Sequence, residues 1–492
     1  MDVKTQAQRS TVTEPKAAQS RRGVYLDSGV ILVMCALLLC GTFWQIYTWD
    51  WVFFTVYTDV ARYQCYAISF WHGVSALQSL PPHQCDNVLQ PTVQYLHTAD
   101  IIRKMQYYHV PRIIVQFVAS QSSTMPLHAL PREYPFLTLI PFTISLLGPV
   151  EWYEVIFALW MIAVAIVIYG ALVRYRSRKA ALAFAIYLVA GSWATALARY
   201  DLFPSALTFF ALLCAIHKRW SWSFVLLALA TLAKFYPAVL IFPFLLSQQM
   251  QASGKWYAWP RWRPLIFFAV VGIVITGVSL FLSVEGTLGP LTYFGNRPIQ
   301  VESVQASLVW LYGKLTHHAL HYEFTYGSLN LIETSSKLSL LGSLLSVAGP
   351  LYTLWLQWRG KVDLATSSLL ILLIVMLTGK VFSPQYLIWV APIVAYVGEA
   401  HIKWLLPWTT ISLLTTLIYP FLYDLQDLQD APFNRAFFPS TILRNLLFLG
   451  FVIAILVYSA RKNVVVPLAN DRSDTKAAPV AIRRLFIQAS DS

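Results

Sequence analysis

The sequence predicts an all-α polytopic membrane protein of about 12 transmembrane helices, with outer-face loops and juxtamembrane helices. Three observations predict it. Of 492 residues, 57% are hydrophobic and only 12% charged, where about a quarter charged is usual for a soluble domain. Apolar stretches of roughly 20 residues, the length that crosses a bilayer, recur from end to end. Basic residues gather in short loops: "RYRSRK" (Arg174 to Lys179), "HKRW" (His217 to Trp220), "GKWYAWPRWRP" (Gly254 to Pro264), "QWRGK" (Gln357 to Lys361) and both tails. This positive-inside pattern accounts for the formal charge of +13, so no nucleic-acid partner is expected. No long polar block could fold alone, which excludes a soluble domain on a single anchor.

Residues 1–27 read as a cytoplasmic tail. The first apolar stretch, Ser28 to Tyr47, follows Arg21 and Arg22. It is too long for a signal peptide and no small-residue cleavage site follows, so it reads as a retained helix. The first outer loop, 49–133, is amphipathic at "IIRKMQYYHVPRIIVQFV" (Ile101 to Val118), which places parts of it on the membrane surface. "YPFLTLIPFTISLLG" (Tyr134 to Gly148) is short for a crossing and reads as re-entrant or strongly tilted. Helices follow from Tyr153 to Val173, from Lys179 to "RYD" (Arg199 to Asp201), and from there down to "HKRW".

Basic loops flank both sides of "SFVLLALATLAKFYPAVLIFPFLL" (Ser223 to Leu246), yet two full crossings do not fit in it. It predicts a pair of short helices turning at "KFYP" (Lys234 to Pro237), with Lys234 at membrane depth. Broken backbone is tolerated there only where protein or a water-filled cavity surrounds it. A helix from Leu265 to Ser283 leads to the second outer loop, 285–337, which carries "FGNRPIQVES" (Phe294 to Ser303). Two helices bracket "QWRGK", and "GKVFSPQY" (Gly379 to Tyr386) lies outside. Three more helices complete a transmembrane domain of residues 28–460, with "YDLQDLQDAPFNR" (Tyr423 to Arg435) outside and 461–492 as a cytoplasmic tail. Cys35, Cys40 and Cys214 read as packing residues. Cys65 and Cys85 could pair if the first loop faces an oxidising compartment. No spacing suggests a metal site.

On this topology the isolated, mixed-sign polar residues converge on the outer face: Asp59, Arg62, Glu133, Arg199, Asp201, Arg297, Glu302 and Lys380. Charges at membrane level are costly and usually face a cavity. Each has a bland reading: Asp59 as a helix cap, "REYP" as a turn, "RYD" as a local ion pair, Lys234 as a snorkelling side chain. All of them together, on one face of an apolar bundle, are harder to dismiss. One mechanism fits. For a sugar carried on a lipid phosphate, Arg297, Lys380 and Lys234 would hold the phosphate as its charge rises. A carboxylate would deprotonate the attacking hydroxyl, and an apolar groove would hold the lipid tail. No nucleotide fingerprint is present, and no cofactor is expected.

The same motifs resemble the GT-C superfamily of integral-membrane glycosyltransferases, and within it glycosyltransferase family 87. That family shows D-x-x-x-Y after its first helix, then a Gly, then E-Y-P; here Asp59 with Tyr63, Gly73, and Glu133-Tyr134-Pro135. Its R/Q-x-D matches Arg199 to Asp201, and its K-x-Y-P turn matches Lys234 to Pro237. Its R-P-x-Q-x-E-S and K-x-x-S-P-Q-Y stretches match Arg297 to Ser303 and Lys380 to Tyr386, and are the most specific. The resemblance implies a polyprenyl-phosphate-sugar donor, most often mannose, and inverting transfer to a lipid or glycan acceptor at the outer face. It implies Asp59 as general base. Arg62, Tyr63, Glu133, Tyr134, Arg199, Asp201, Lys234, Tyr236, Arg297, Gln300, Glu302, Lys380 and Gln385 then serve the substrates. Arg62 and Tyr63 lie near the Asp59 face of their helix and could orient it. The segment between Gly73 and Glu133 is much longer than the family's usual link, and it roofs the site.

Arabinofuranosyl transfer from a decaprenyl phosphate donor is the nearest rival. A lipid-linked-sugar flippase or secondary transporter is the rival of another class. Transporters often show inverted repeats and midplane sites, whereas here no repeat is present and the polar residues share one face. A non-catalytic assembly subunit is the third reading.

Overall fold

The computed structural model describes residues 16–48, 58–89, 96–252, 255–332, 336–423 and 430–461. The terminal tails and stretches of the outer loops, including 424–429, lie outside the described residues. Among the described residues, six helices are long and apolar enough to cross a membrane: Gly23–Trp44, Val150–Tyr175, Trp259–Leu282, Leu338–Trp358, Ile402–Leu422 and Phe437–Arg461. Five further apolar helices, Phe136–Leu147, Leu202–Ile216, Trp220–Ala233, Leu364–Thr378 and Tyr386–Gly398, have only 10–17 residues. The chain is an all-α, multi-pass membrane protein. Length alone supports six crossings among the described residues; a count near twelve would need the short apolar pieces to cross as well.

Breaks beside these short pieces line the site, at Thr195 to Arg199, Lys234 to Tyr236 and Ser383 to Gln385. The helix expected to run from Lys179 to Arg199 stops at Ser192, and the chain continues as turns to Asp201 before the helix Leu202–Ile216 begins. The expected break at "KFYP" is present. The helix Trp220–Ala233 ends at Lys234, a 3₁₀ turn Tyr236–Leu240 follows, and Ile241–Gln251 completes the pair. Pro237 sits in the first positions of that turn, where a missing N–H costs nothing. "YPFLTLIPFTISLLG" folds as short 3₁₀ and α pieces against the helix Asp59–His72.

The first outer loop opens with that helix. Gly73 ends it at φ 84°, a left-handed value that a side chain would strain. Cys65 and Cys85 are joined by a disulfide that pins the following segment to the helix. Two amphipathic helices follow, Thr98–Tyr107 and Arg112–Ser120, with Ile113, Ile114 and Phe117 exposed and Val118 buried. Glu285 ties this loop to the second one, pairing with Arg132 at 2.9 Å and accepting from the Thr98 amide at 2.8 Å.

The second outer loop adds a feature the sequence reading did not contain, a small antiparallel sheet. Its strands are Ile299–Gln300, Tyr322–Thr325 and Ser328–Leu331, with the last in the middle. Gln300 pairs with Asn330 in register. The sheet holds one wall of a cavity that the short helices leave open.

Candidate active site

That cavity encloses about 500 Å³. Its first wall is the start of the helix Asp59–His72. Thr58 caps this helix, its hydroxyl accepting from the Ala61 amide at 3.0 Å. The cap sets Asp59 in the first turn, where a carboxylate also suits the helix dipole. Arg199, from the turns after Ser192, forms an ion pair with Asp59 Oδ2 at 2.7 Å. Its other guanidinium nitrogen reaches the Gln385 side-chain oxygen, so Arg199 bridges the catalytic candidate to the "SPQY" loop. Asp59 Oδ1 has no hydrogen-bond partner among the described residues.

Arg62, one turn on, does not hold Asp59. It donates to Glu133 at 3.0 Å. Burial works against the Arg62 charge, but the Glu133 and Asp59 carboxylates outweigh it and raise the guanidinium further. Asp201 does not pair with Arg199 as a local "RYD" unit. It is 1% exposed, and it receives the Lys234 ammonium and the Trp389 indole N–H. Lys234 lies 4.9 Å from the Tyr200 ring and 5.0 Å from the Trp389 ring. Tyr236 stacks on Trp389 with centroids 4.3 Å apart.

The opposite wall is the strip from Arg297 to Glu302. Arg297 donates to Ser328 Oγ at 2.7 Å, and the Gln300 amide donates to the Lys380 carbonyl at 2.9 Å. The Glu302 carbonyl accepts from Arg444 at 2.6 Å and Asn445 at 3.2 Å, which fastens the strip to the helix Phe437–Arg461. Three buried polar atoms on this strip lack a hydrogen-bond partner: Arg297 Nε, Gln300 Oε1 and Glu302 Oε2. Each such atom costs about 1–3 kcal/mol if left unmatched. Three on one strip that lines a cavity fit a site completed by a ligand.

Burial pushes the Glu302 carboxyl up to about 7, against the opposing pull of Arg444 and the Tyr423 hydroxyl. Between its usual 4.5 and about 7 the folded state keeps a proton that the unfolded state has released. This carboxyl therefore favours folding at the acidic end, and its contribution is lost as pH rises through 7. Thermal melts of the purified protein from pH 5 to 8 should show this slope, and Glu302→Gln should flatten it; an unchanged slope in the variant would assign the effect to another group.

The charges of the cavity form pairs: Arg199 with Asp59, Arg62 with Glu133, and Lys234 with Asp201 behind the wall. Glu302 has Arg444 at 3.7 Å. Two lining charges have no opposite partner among the described residues, Arg297 and Glu154.

The sequence profile of glycosyltransferase family 87 matches residues 133–384. The chain belongs to glycosyltransferase family 87. A solved structure, ArnT from Cupriavidus metallidurans in the apo state, is similar at 15% identity and a TM-score of 0.33, covering 74% of this chain and 71% of that chain. Among curated proteins none matches the sequence.

In this family 87 protein, Asp59, Arg62, Glu133, Tyr134, Arg199, Lys234, Tyr236, Arg297, Gln300, Glu302 and Gln385 all line the cavity. Three expected residues do not. Tyr63 lies in the core, stacked on Phe142 with centroids 4.3 Å apart. Asp201 is sealed behind Lys234 and Trp389. Lys380 points to the Gly295 carbonyl at 2.9 Å, and burial and the nearby Arg297 charge lower its pKa. Glu154 and Arg444 were missed. Both are ionisable residues inside an apolar helix, a signal that by itself marks a candidate site. Tyr293, Tyr326, Tyr419 and Tyr423 also line the cavity, and no local pattern distinguishes them from interfacial aromatics.

Proposed function

We propose that this cavity moves a sugar, mannose in the first instance, from a polyprenyl-phosphate donor to a hydroxyl of a lipid or glycan acceptor, with inversion. The observation that carries the reading is Arg297, a lining cation without a carboxylate partner among the described residues, whose buried Nε lacks an acceptor. An anion matches Arg297, and sugar hydroxyls are the donors that the Gln300 and Glu302 side-chain oxygens call for. Asp59 Oδ1 takes the proton of the acceptor hydroxyl as its oxygen bonds to the anomeric carbon. The bond from that carbon to the phosphate oxygen breaks, and its electron pair leaves with the phosphate, whose growing charge Arg297 meets. Arg199 pairs with Asp59 Oδ2 and leaves Oδ1 for the acceptor hydroxyl. Apolar lining such as Leu39, Phe43 and Phe294 suits a prenyl chain.

The Cys65–Cys85 bond supports an extracytoplasmic site. It lies on the helix that begins with Asp59, and disulfides persist in oxidising compartments. The outer loops 49–133 and 285–337 then face outward, and the tails face the cytoplasm.

Arg297→Ala tests the donor role. Donor binding should weaken by about 2 kcal/mol or more, roughly 30-fold in Kd. The measurement is a titration of purified protein with synthetic polyprenyl phosphomannose, with polyprenyl phosphoarabinose alongside. Unchanged donor affinity would remove Arg297 from the phosphate site. Tighter use of the arabinose donor would replace the sugar assignment, and transmembrane movement of the donor without transfer would favour a flippase.

A further inference from the structure

Glu154 stands in the first turn of the helix Tyr153–Tyr175 and lines the cavity. It is absent from every motif described above. Its one hydrogen bond comes from Thr58, whose hydroxyl donates to Oε1 at 2.6 Å. Oε2 has no partner, and no Lys, Arg or His pairs with the group among the described residues. A carboxylate at the edge of an apolar helix is expensive to keep without a counter-ion. Thr58 needs only one acceptor oxygen, so the tether accounts for half of the group at most.

We infer that Glu154 is an acceptor-binding residue, whose free oxygen receives hydroxyl protons from a neutral sugar seated beside Asp59. The assignment rests on the transferase reading above. Position supports the acceptor over the donor. Thr58, which Glu154 grips, is the cap residue directly before Asp59, and the base must meet the acceptor hydroxyl. Charge supports it too. Glu154 offers a phosphate no cation, so the donor anion belongs with Arg297 and the Glu154 side is left to a neutral polyol. A carboxylate takes two hydroxyl donors well, because each becomes a charge-assisted hydrogen bond. Beside it Val155, Ala158 and Leu159 continue the same helix as an apolar wall, which fits the chain or ring face carried by that sugar.

The test uses the full-length protein in lipid nanodiscs with octyl α-mannoside as acceptor probe and polyprenyl phosphomannose as donor. Binding of each is followed separately by tryptophan fluorescence. Glu154→Ala should raise the octyl mannoside Kd about tenfold, the scale of one charge-assisted hydrogen bond, and leave donor Kd within twofold. Glu154→Gln, which keeps an oxygen for Thr58 but removes the charge, should weaken the probe several-fold. Three results overturn the inference: no probe binding to the wild-type protein, a probe Kd unchanged in Glu154→Ala, or equal losses for probe and donor. Donor hydrolysis by water separates a tether from a ligand contact. If Glu154→Ala slows hydrolysis as much as transfer, the residue acts only by holding Thr58 and Asp59, and the inference fails. Probe binding that depends on Glu154, in a protein that transfers no sugar, would instead defeat the transferase reading and leave the polyol site standing.

Discussion

Asp59→Asn should lower turnover about 100-fold or more, the usual scale for a lost positioned base, while donor binding and folding persist. Asn matches Asp in shape, so the cap at Thr58 and the packing of the helix are retained. What disappears is the proton-accepting Oδ1. The Arg199 guanidinium at 2.7 Å from Oδ2 loses its ionic partner, but that pair is about one-fifth exposed on each side, so water softens the loss. The comparison to make is single-turnover transfer from polyprenyl phosphomannose by Asp59→Asn and by Glu302→Gln. Both carboxylates line the cavity, but Glu302 has its second oxygen 3.7 Å from Arg444 and its first on the Tyr423 hydroxyl. Near-normal turnover in the Asp59 variant with collapse in the Glu302 variant would move the base across the cavity.

Asp201→Asn should act on stability first. The group is 1% exposed and joined to Lys234, itself 7% exposed. Removing one partner of a buried ion pair leaves the other charge unmatched, at a cost of about 3–5 kcal/mol. The purified variant should melt well below the wild-type protein. Asp201→Asn with Lys234→Met should recover much of that loss, because no lone charge remains and the Met stem still packs on Tyr200 and Trp389. If the double variant melts as low as the single one, the pair is not the source of the defect. If Asp201→Asn melts normally yet loses turnover, Asp201 belongs to the chemistry rather than to the scaffold.

The motifs were legible because each is a short run of residues with a chemical reason to be adjacent. "RPIQVES" puts a cation, an amide and a carboxylate on one extended strip, and "SPQY" places Gln385 within reach of Arg199. The break at "KFYP" was legible from length alone, since two crossings could not fit between the basic loops. Glu154 and Arg444 left a visible signal as ionisable residues in apolar helices, but nothing local said that one lines the cavity and the other clamps its wall.

Composition by itself determined the bilayer as solvent, because a chain this apolar has no soluble way to cover its helices. Motif content determined which residues could do chemistry. Only the tertiary structure decided their partners. Helical spacing suggested that Arg62 serves Asp59, and adjacency in "RYD" suggested that Arg199 pairs with Asp201. In the fold, Arg62 reaches Glu133, 71 residues away, and Trp389 reaches back 188 residues to Asp201. Asp59 takes Arg199 instead. The reason is electrostatic. Coulomb attraction falls off with separation, so each charge settles on the counter-charge it can touch rather than on a neighbour along the chain. Which two lining charges were left over among the described residues, Arg297 and Glu154, followed from that pairing.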